Sequence, residues 1–226
     1  MPVLECSRCN ELYYSAHGST ELACDVCGGE AWRVFEDEVS FARVSGLERE
    51  AQPGDHAVLL YTEVPDAADF CADYLREGLA LGEHALLAVP APLREELIER
   101  LSPEEAAGAV VLEAERIYGP EFDAERVAEA FAQRVREQEG PVRLLCGVDG
   151  QTVAGVDLDE WRRYERIAHE LVLELKATVL CTYDGRRLPI AFSPIAVETH
   201  PLISHGGAEL RRNDDFRYEP ANAGRA

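Results

Sequence analysis

The stretch "GDHAVLLYTEVPDAADF", Gly54 to Phe70, decides the fold. Ala57 to Tyr61 is a short apolar run, which suits a strand buried on both faces. From Pro65 to Leu81 the period changes. Ala67, Phe70, Cys71, Tyr74, Leu75 and Leu79 then fall on one face of a helix. Pro65 suits the first turn, where its missing N–H costs nothing. Between strand and helix the chain reads Thr62-Glu63-Val64-Pro65-Asp66. A phosphate loop in that place would read G-x-x-x-x-G-K-[ST], with backbone N–H groups around the phosphate and a lysine reaching it. This turn has no glycine, no lysine and two acids. The scaffold of a nucleotide-binding domain is expected without its phosphate cradle.

The alternation continues downstream. His84–Val89, Ala109–Leu112, Val142–Cys146 and Thr178–Tyr183 read as further strands. Helices are expected over "APLREELIERL" with Leu93, Leu97 and Leu101 inward, and over "DAERVAEAFAQRVREQ" with Val127, Ala130, Phe131 and Val135 inward. A fourth is expected from about Leu158 to Lys176, with Trp161, Tyr164, Ala168, Leu171, Val172 and Leu175 inward. Strands separated by helices of this length predict an α/β fold, a mostly parallel sheet covered on both faces in three α/β/α layers. The polar chain after Arg211 is expected to be extended or disordered, with 219–226 a flexible tail.

The 226 residues are 46% hydrophobic, enough for one sizeable core and a small appendage. No apolar run reaches the length of a membrane span. The opening "MPVLECSRCN" lacks the basic and apolar regions of a signal peptide, so a cytoplasmic location is expected. The formal charge is −21, from 22 basic and 43 acidic residues. Nucleic-acid affinity comes mainly from Lys and Arg on phosphates, so nucleic acid and anionic membranes are poor partners for this chain. Lys176 is the only lysine, and it lies inside a helical pattern far from the turn that would need it.

Four of the seven cysteines form Cys6-x-x-Cys9 and Cys24-x-x-Cys27, fourteen residues apart. Each C-x-x-C turn aims two thiolates at one ion, and two turns complete the tetrahedral four-thiolate site that structural Zn²⁺ prefers. Residues 1–38 are too poor in core-sized side chains to fold by burial alone and need such a staple. A small zinc-ribbon β module holding one Zn²⁺ is therefore expected over 1–38, followed by a charged linker over 39–53. A redox role for the paired thiols and a rubredoxin-type iron site are the alternatives. The ribbon holds two basic residues, Arg8 and Arg33, against eight acids, which argues against DNA docking. Cys71, Cys146 and Cys181 lie in apolar runs, where cysteine behaves as a small buried hydrophobe.

Four stretches together resemble the MEDS family, sensory domains named from methanogens, methylotrophs and the regulator DcmR. They are Gly54-Asp55-His56 before the first strand and "LREGLALGE" from Leu75 to Glu83. They continue with "CTYDGRRLP" from Cys181 to Pro189 and "THPLI" from Thr199 to Ile203. The resemblance covers about 54–218. Ala57 and Val58 depart from it, standing where members often carry an aromatic residue or a cysteine, and the ribbon is an extra module. It implies a RecA/KaiC-like domain without a P-loop, used for sensing small organic compounds and coupled to kinase, anti-sigma or regulator partners. No kinase or helix-turn-helix segment is found, so output is expected through the ribbon or a partner protein. A RecA-type ATPase relative and a zinc-ribbon transcription regulator remain the alternatives.

Ligands of open α/β sheets bind outside the carboxyl ends of the strands. Tyr61, Thr62, Glu63, Asp149, Tyr183, Asp184, Arg186 and Arg187 are expected there, and Tyr61, Glu63, Tyr183, Asp184 and Arg187 together with Glu165 form the expected ligand-binding set. Turn chemistry and surface ion pairing are the plainer roles for the same residues. Glu165 sits beside an apolar stripe and needs a partner, expected to be Arg186 or Arg187 unless it faces the ligand. His56, at the opposite end of its strand, and His200, before Pro201, read as structural. No catalytic residue is assigned, because no nucleophile and base stand in a known arrangement; Cys146 and His169 are the nearest approach to one.

Overall fold

The computed structural model describes residues 3–6, 8, 12–14, 23–24, 28–29, 32–35, 51–119, 121–207 and 209–218. Three short strands come first: β1 (Val3–Cys6), β2 (Leu12–Tyr14) and β3 (Trp32–Phe35). They pair antiparallel in the order β2-β1-β3. Residues 39–50 of the expected linker lie outside the described residues, and Ala51 already packs in the core of the large domain.

The large domain is built on β4 (His56–Tyr61), β5 (His84–Ala88), β6 (Ala109–Val111), β7 (Val142–Val148), β8 (Thr178–Asp184), β9 (Leu202–His205) and β10 (Arg211–Arg212). Their order is β10-β9-β4-β8-β7-β5-β6, and every neighbouring pair is parallel except β9 with β10. Seven helices accompany them among the described residues. They are α1 (Val64–Ala80), α2 (Ala91–Arg100), α3 (Pro103–Gly108), α4 (Ala114–Tyr118), α5 (Ala124–Arg136), α6 (Leu158–Leu175) and α7 (Phe192–Thr199).

The pleat sends alternate strand residues to two cores. Leu59, Leu87, Leu145 and Leu180 meet Leu75 of α1 and Leu97 of α2 on one face. Val58, Leu86, Leu144 and Val179 meet Phe131 of α5, Trp161 of α6 and Ile195 of α7 on the other. All five expected strands and all four expected helices form, within one or two residues at most ends. The polar chain over 212–218 is more ordered than its composition suggests, while the expected tail over 219–226 lies outside the described residues. Asn213 is buried, its side-chain amide donating to the carbonyls of Val197 at 2.6 Å and His200 at 2.7 Å, and the Arg217 N–H donates to Glu198 at 2.8 Å. These bonds hold β10 and the following turn against the end of α7, which hydropathy cannot report.

Helix α6 shows how the chain marks its own ends. The Asp157 carboxylate accepts from the backbone N–H groups of Asp159 and Glu160, relieving orphan donors at the start. Lys176 ends it in the left-handed conformation at φ 52°, unlike any other described non-glycine residue. It stands before β8, at the opposite end of the sheet from the β4–α1 turn. Lys176→Gly should raise the unfolding free energy by about 0.5 kcal/mol: about 1 kcal/mol of left-handed cost relieved, partly offset by a freer unfolded chain. Urea denaturation measures it, and a lower midpoint would contradict it.

Candidate functional site

The carboxyl ends of β4, β7 and β8 do gather polar side chains, but as separate pairs. Glu63 ends in an exposed ion pair with Arg186. Asp184 is buried; it accepts from the Arg186 N–H at 3.0 Å and lies 3.6 Å from the Arg187 guanidinium. Tyr61 is buried in the α1-side core, where burial, then the Asp184 charge, raises its hydroxyl. Beside them lies a cleft of about 950 Å³, lined by Pro90, Tyr118, Asp149, Gln151, Arg187 and Pro189 among others. Of the expected ligand set only Arg187 lines it. Asp149 already accepts from the backbone N–H groups of Gln151 at 3.0 Å and Thr152 at 2.9 Å, so it shapes the turn.

Tyr183 and Glu165 belong to a different place. Tyr183 follows Cys181 and Val179 onto the α6 side of the sheet, and Asp184 turns to the other. The Tyr183 hydroxyl donates to Glu165 Oε1 and accepts from Trp161 Nε1 at 3.2 Å. Glu165 is therefore not the partner of Arg186 or Arg187. Those arginines sit with Glu63 and Asp184, and Glu165 is enclosed at 1% exposure. Burial, opposed by the Tyr183 hydrogen bond, pushes its carboxyl up to about 7.

Next to this pair lie two histidines and a cysteine. His56 opens β4, Cys181 lies on β8, and His200 stands just before β9. The two imidazole centroids are 4.1 Å apart, and both rings are fully buried. His56 Nε2 is 3.5 Å from Cys181 Sγ, and His200 Nε2 is 3.5 Å from Glu165 Oε2. One ligating atom from each of His56, Glu165, Cys181 and His200 lies within 4.8 Å of the others. Burial pushes His200 down to about 3 and His56 well below the usual imidazole range, so both rings are neutral at pH 7. The Cys181 thiol is raised, first by its contact with Cys146 and then by burial, which suits an inert thiol rather than a nucleophile. His169 contacts the Arg8 carbonyl at 3.0 Å and stacks on His56 at 5.6 Å.

His56 and Cys181 also form part of the wall of a small apolar cavity of about 40 Å³. The rest of its lining comes from α5, α6 and the sheet, including Ala128, Phe131, Tyr164, Ala168 and Cys146. The rule that ligands sit at strand carboxyl ends hides the cluster of His56, Glu165, Cys181 and His200, because His56 and His200 stand at amino-terminal ends of neighbouring strands. A signal was present all the same. Three of the four quoted stretches, Gly54 to His56, Cys181 to Pro189 and Thr199 to Ile203, each deliver one of its residues.

In the amino-terminal unit Cys6, at the end of β1, and Cys24 are buried. The Cys24 N–H donates to the Gly29 carbonyl at 2.8 Å and the Gly28 N–H to the Cys24 carbonyl at 2.7 Å, and Gly28 takes a left-handed φ of 69° that suits glycine. Cys9 and Cys27 lie outside the described residues. No helix among the described residues is long and apolar enough to cross a membrane.

A family model described as MEDS, MEthanogen/methylotroph, DcmR Sensory domain, matches residues 55–201. No curated protein matches the chain.

Proposed function

The chain belongs to the MEDS family of sensory domains, and from that premise we propose that it is a non-catalytic signalling protein whose α/β domain binds a one- or two-carbon organic molecule. The observation that carries this reading is the small apolar cavity with His56 and Cys181 on its wall. A dry cavity of about 150 Å³ holds benzene, so by the same scale a volume of about 40 Å³ takes about two heavy atoms. The apolar lining supplies affinity for a carbon skeleton. One imidazole or thiol supplies a single polar contact, the usual division of labour in a small-molecule site. A nucleotide finds neither the room here nor a phosphate cradle at the β4–α1 turn.

Output in this reading passes through the amino-terminal module, with Cys6, Cys9, Cys24 and Cys27 holding one structural Zn²⁺. Its support is the paired C-x-x-C spacing, the burial of Cys6 and Cys24, and the contact of that module with the sensor. Arg8 reaches Glu170 at 3.1 Å, and its carbonyl meets His169, which stacks on His56. A change at His56 would thus be felt one ring away from the module.

Ala128→Val tests the cavity. The variant adds two methyl groups to the lining from a helix position and should keep the melting temperature within a few degrees. Calorimetric titration with methanol, methanethiol and chloromethane should show heat of binding in the wild type for at least one of them, and none in the variant. Equal heats in both proteins would place the ligand elsewhere, with the cleft at Asp149 and Arg187 the next candidate.

A further inference from the structure

We propose that His56, Glu165, Cys181 and His200 bind a divalent transition metal ion of the zinc type inside the α/β domain, separate from any ion on the amino-terminal cysteines.

The hydrogen bonds around the cluster leave it short of positive charge. His200 Nδ1 lies 2.8 Å from the Ala196 carbonyl and 3.2 Å from Thr199 Oγ1, whose own proton goes to the Ile195 carbonyl at 2.7 Å. A carbonyl only accepts, so Nδ1 carries the hydrogen. Nε2, the other ring nitrogen, then faces Glu165 Oε2. Those two atoms are buried, 3.5 Å apart, and have no hydrogen-bond partner; His56 Nδ1 is a third such atom. Two buried polar atoms without partners face each other, which is costly unless something positive lies between them.

A proton fits that gap poorly. An O–H···N bond closes to about 2.6–2.9 Å, and 3.5 Å is too long for one. A metal ion fits it better. With metal–nitrogen and metal–oxygen bonds of about 2.0–2.1 Å and a metal–sulfur bond of about 2.3 Å, tetrahedral neighbours stand about 3.3 Å apart for N and O and about 3.5 Å for N and S. The observed edges are 3.5 Å for His200 with Glu165 and 3.5 Å for His56 with Cys181, and no ligating pair exceeds 4.8 Å. The surroundings are those metal-ligating groups commonly have. The far nitrogen of His200 donates to a backbone carbonyl, and the second oxygen of Glu165 accepts from Tyr183, which is itself held by Trp161. Two imidazoles, one carboxylate and one thiolate suit a borderline ion such as Zn²⁺, with Co²⁺ as a visible substitute. Four protein ligands leave no open position, so the ion would hold strands β4, β8 and β9 to α6 rather than hydrolyse anything.

The metal site shares His56 and Cys181 with the proposed ligand cavity, but the two are tested separately, because metal is counted with no organic molecule present. The full chain carrying Cys6→Ser and Cys9→Ser removes the amino-terminal thiolate site. Expressed in cobalt- or zinc-supplemented medium and dialysed, it should retain about one metal ion per chain by elemental analysis. The cobalt form should show a thiolate-to-metal charge-transfer band near the ultraviolet edge. Adding Glu165→Gln, which keeps the acceptor for Tyr183, or His200→Gln should lower metal retention at least about 100-fold at limiting metal. Adding Cys181→Ser should abolish the band. Glu165→Gln guards against misfolding, since near-UV circular dichroism should stay native. A natively folded background with no metal overturns the proposal, as does unchanged retention in a folded Glu165→Gln variant.

Discussion

Arg143→Met should be among the most damaging single changes in the large domain, lowering the unfolding free energy by about 3–5 kcal/mol. Arg143 is fully buried on β7. Its Nε donates to Glu83 at 2.5 Å, and one terminal nitrogen donates to Glu77 at 2.5 Å and to the Tyr74 carbonyl at 2.7 Å. The guanidinium also lies over the Tyr74 ring, 4.7 Å from its centroid. Methionine fills much of the stem volume but leaves Glu83, almost fully enclosed, as a buried charge without its partner. A loss of that size is a large part of the about 5–15 kcal/mol that stabilises an ordinary domain. Urea denaturation should show a much lower midpoint. A paired Glu83→Leu change should recover part of the loss, since an apolar pair replaces a buried ion pair at little cost. A loss under about 1 kcal/mol would contradict this account.

The same contact gives the "LREGLALGE" stretch a physical meaning. Glu77 and Glu83 are two acids that hold one arginine, and Gly78 is the space in which it lies. A Cβ on Gly78 would stand 2.5 Å from Arg143 Cδ and 2.7 Å from a Glu83 oxygen. The stretch is structural, and it lies on the face of the sheet away from the His56 cluster.

Trp161→Ala should cost a similar amount, about 3–5 kcal/mol, from cavity formation alone. Trp161 is fully buried among Tyr118, Phe122, Tyr164, Tyr183 and Phe192, with ring centroids 5.0 to 6.5 Å away. It also donates to the Tyr183 hydroxyl, which in turn orients Glu165. Trp161→Phe separates the two effects. It keeps a ring in place but loses the donor, so it should cost about 1–2 kcal/mol. Thermal denaturation followed by near-UV circular dichroism measures both variants. Equal losses for alanine and phenylalanine would show that ring packing is not the main contribution.

The fold was legible because its signals are local. A buried parallel strand such as Val142–Val148 reads as an apolar run, and α5 shows its period within thirteen residues. Strands β9 and β10 are not legible in the sequence because four and two residues carry no period; β9 takes its place by pairing with distant β4, and β10 by pairing with β9. The site was less legible for a related reason. Tyr183 and Asp184 adjoin in sequence and were grouped, but a strand sends neighbours to opposite faces. Glu165 needs a partner, and charge points to arginine; the Tyr183 hydroxyl takes that role instead. His56 and His200 lie 144 positions apart in sequence, and only the parallel pairing of β4 with β9 brings them into contact.

The proposed function is that the α/β domain of this MEDS-family chain senses small organic molecules. Thermal denaturation of the wild-type protein with one- and two-carbon compounds, and with Mg-ATP as the opposing probe, tests it most directly. A ligand at 100 times its dissociation constant stabilises the folded state by about 2.7 kcal/mol, which raises the melting temperature of a chain this size by about 5–10 °C. At least one such compound should produce that rise, and Mg-ATP should leave the melting temperature where it was. A rise with Mg-ATP accompanied by phosphate release, with none from the organic compounds, would contradict the account.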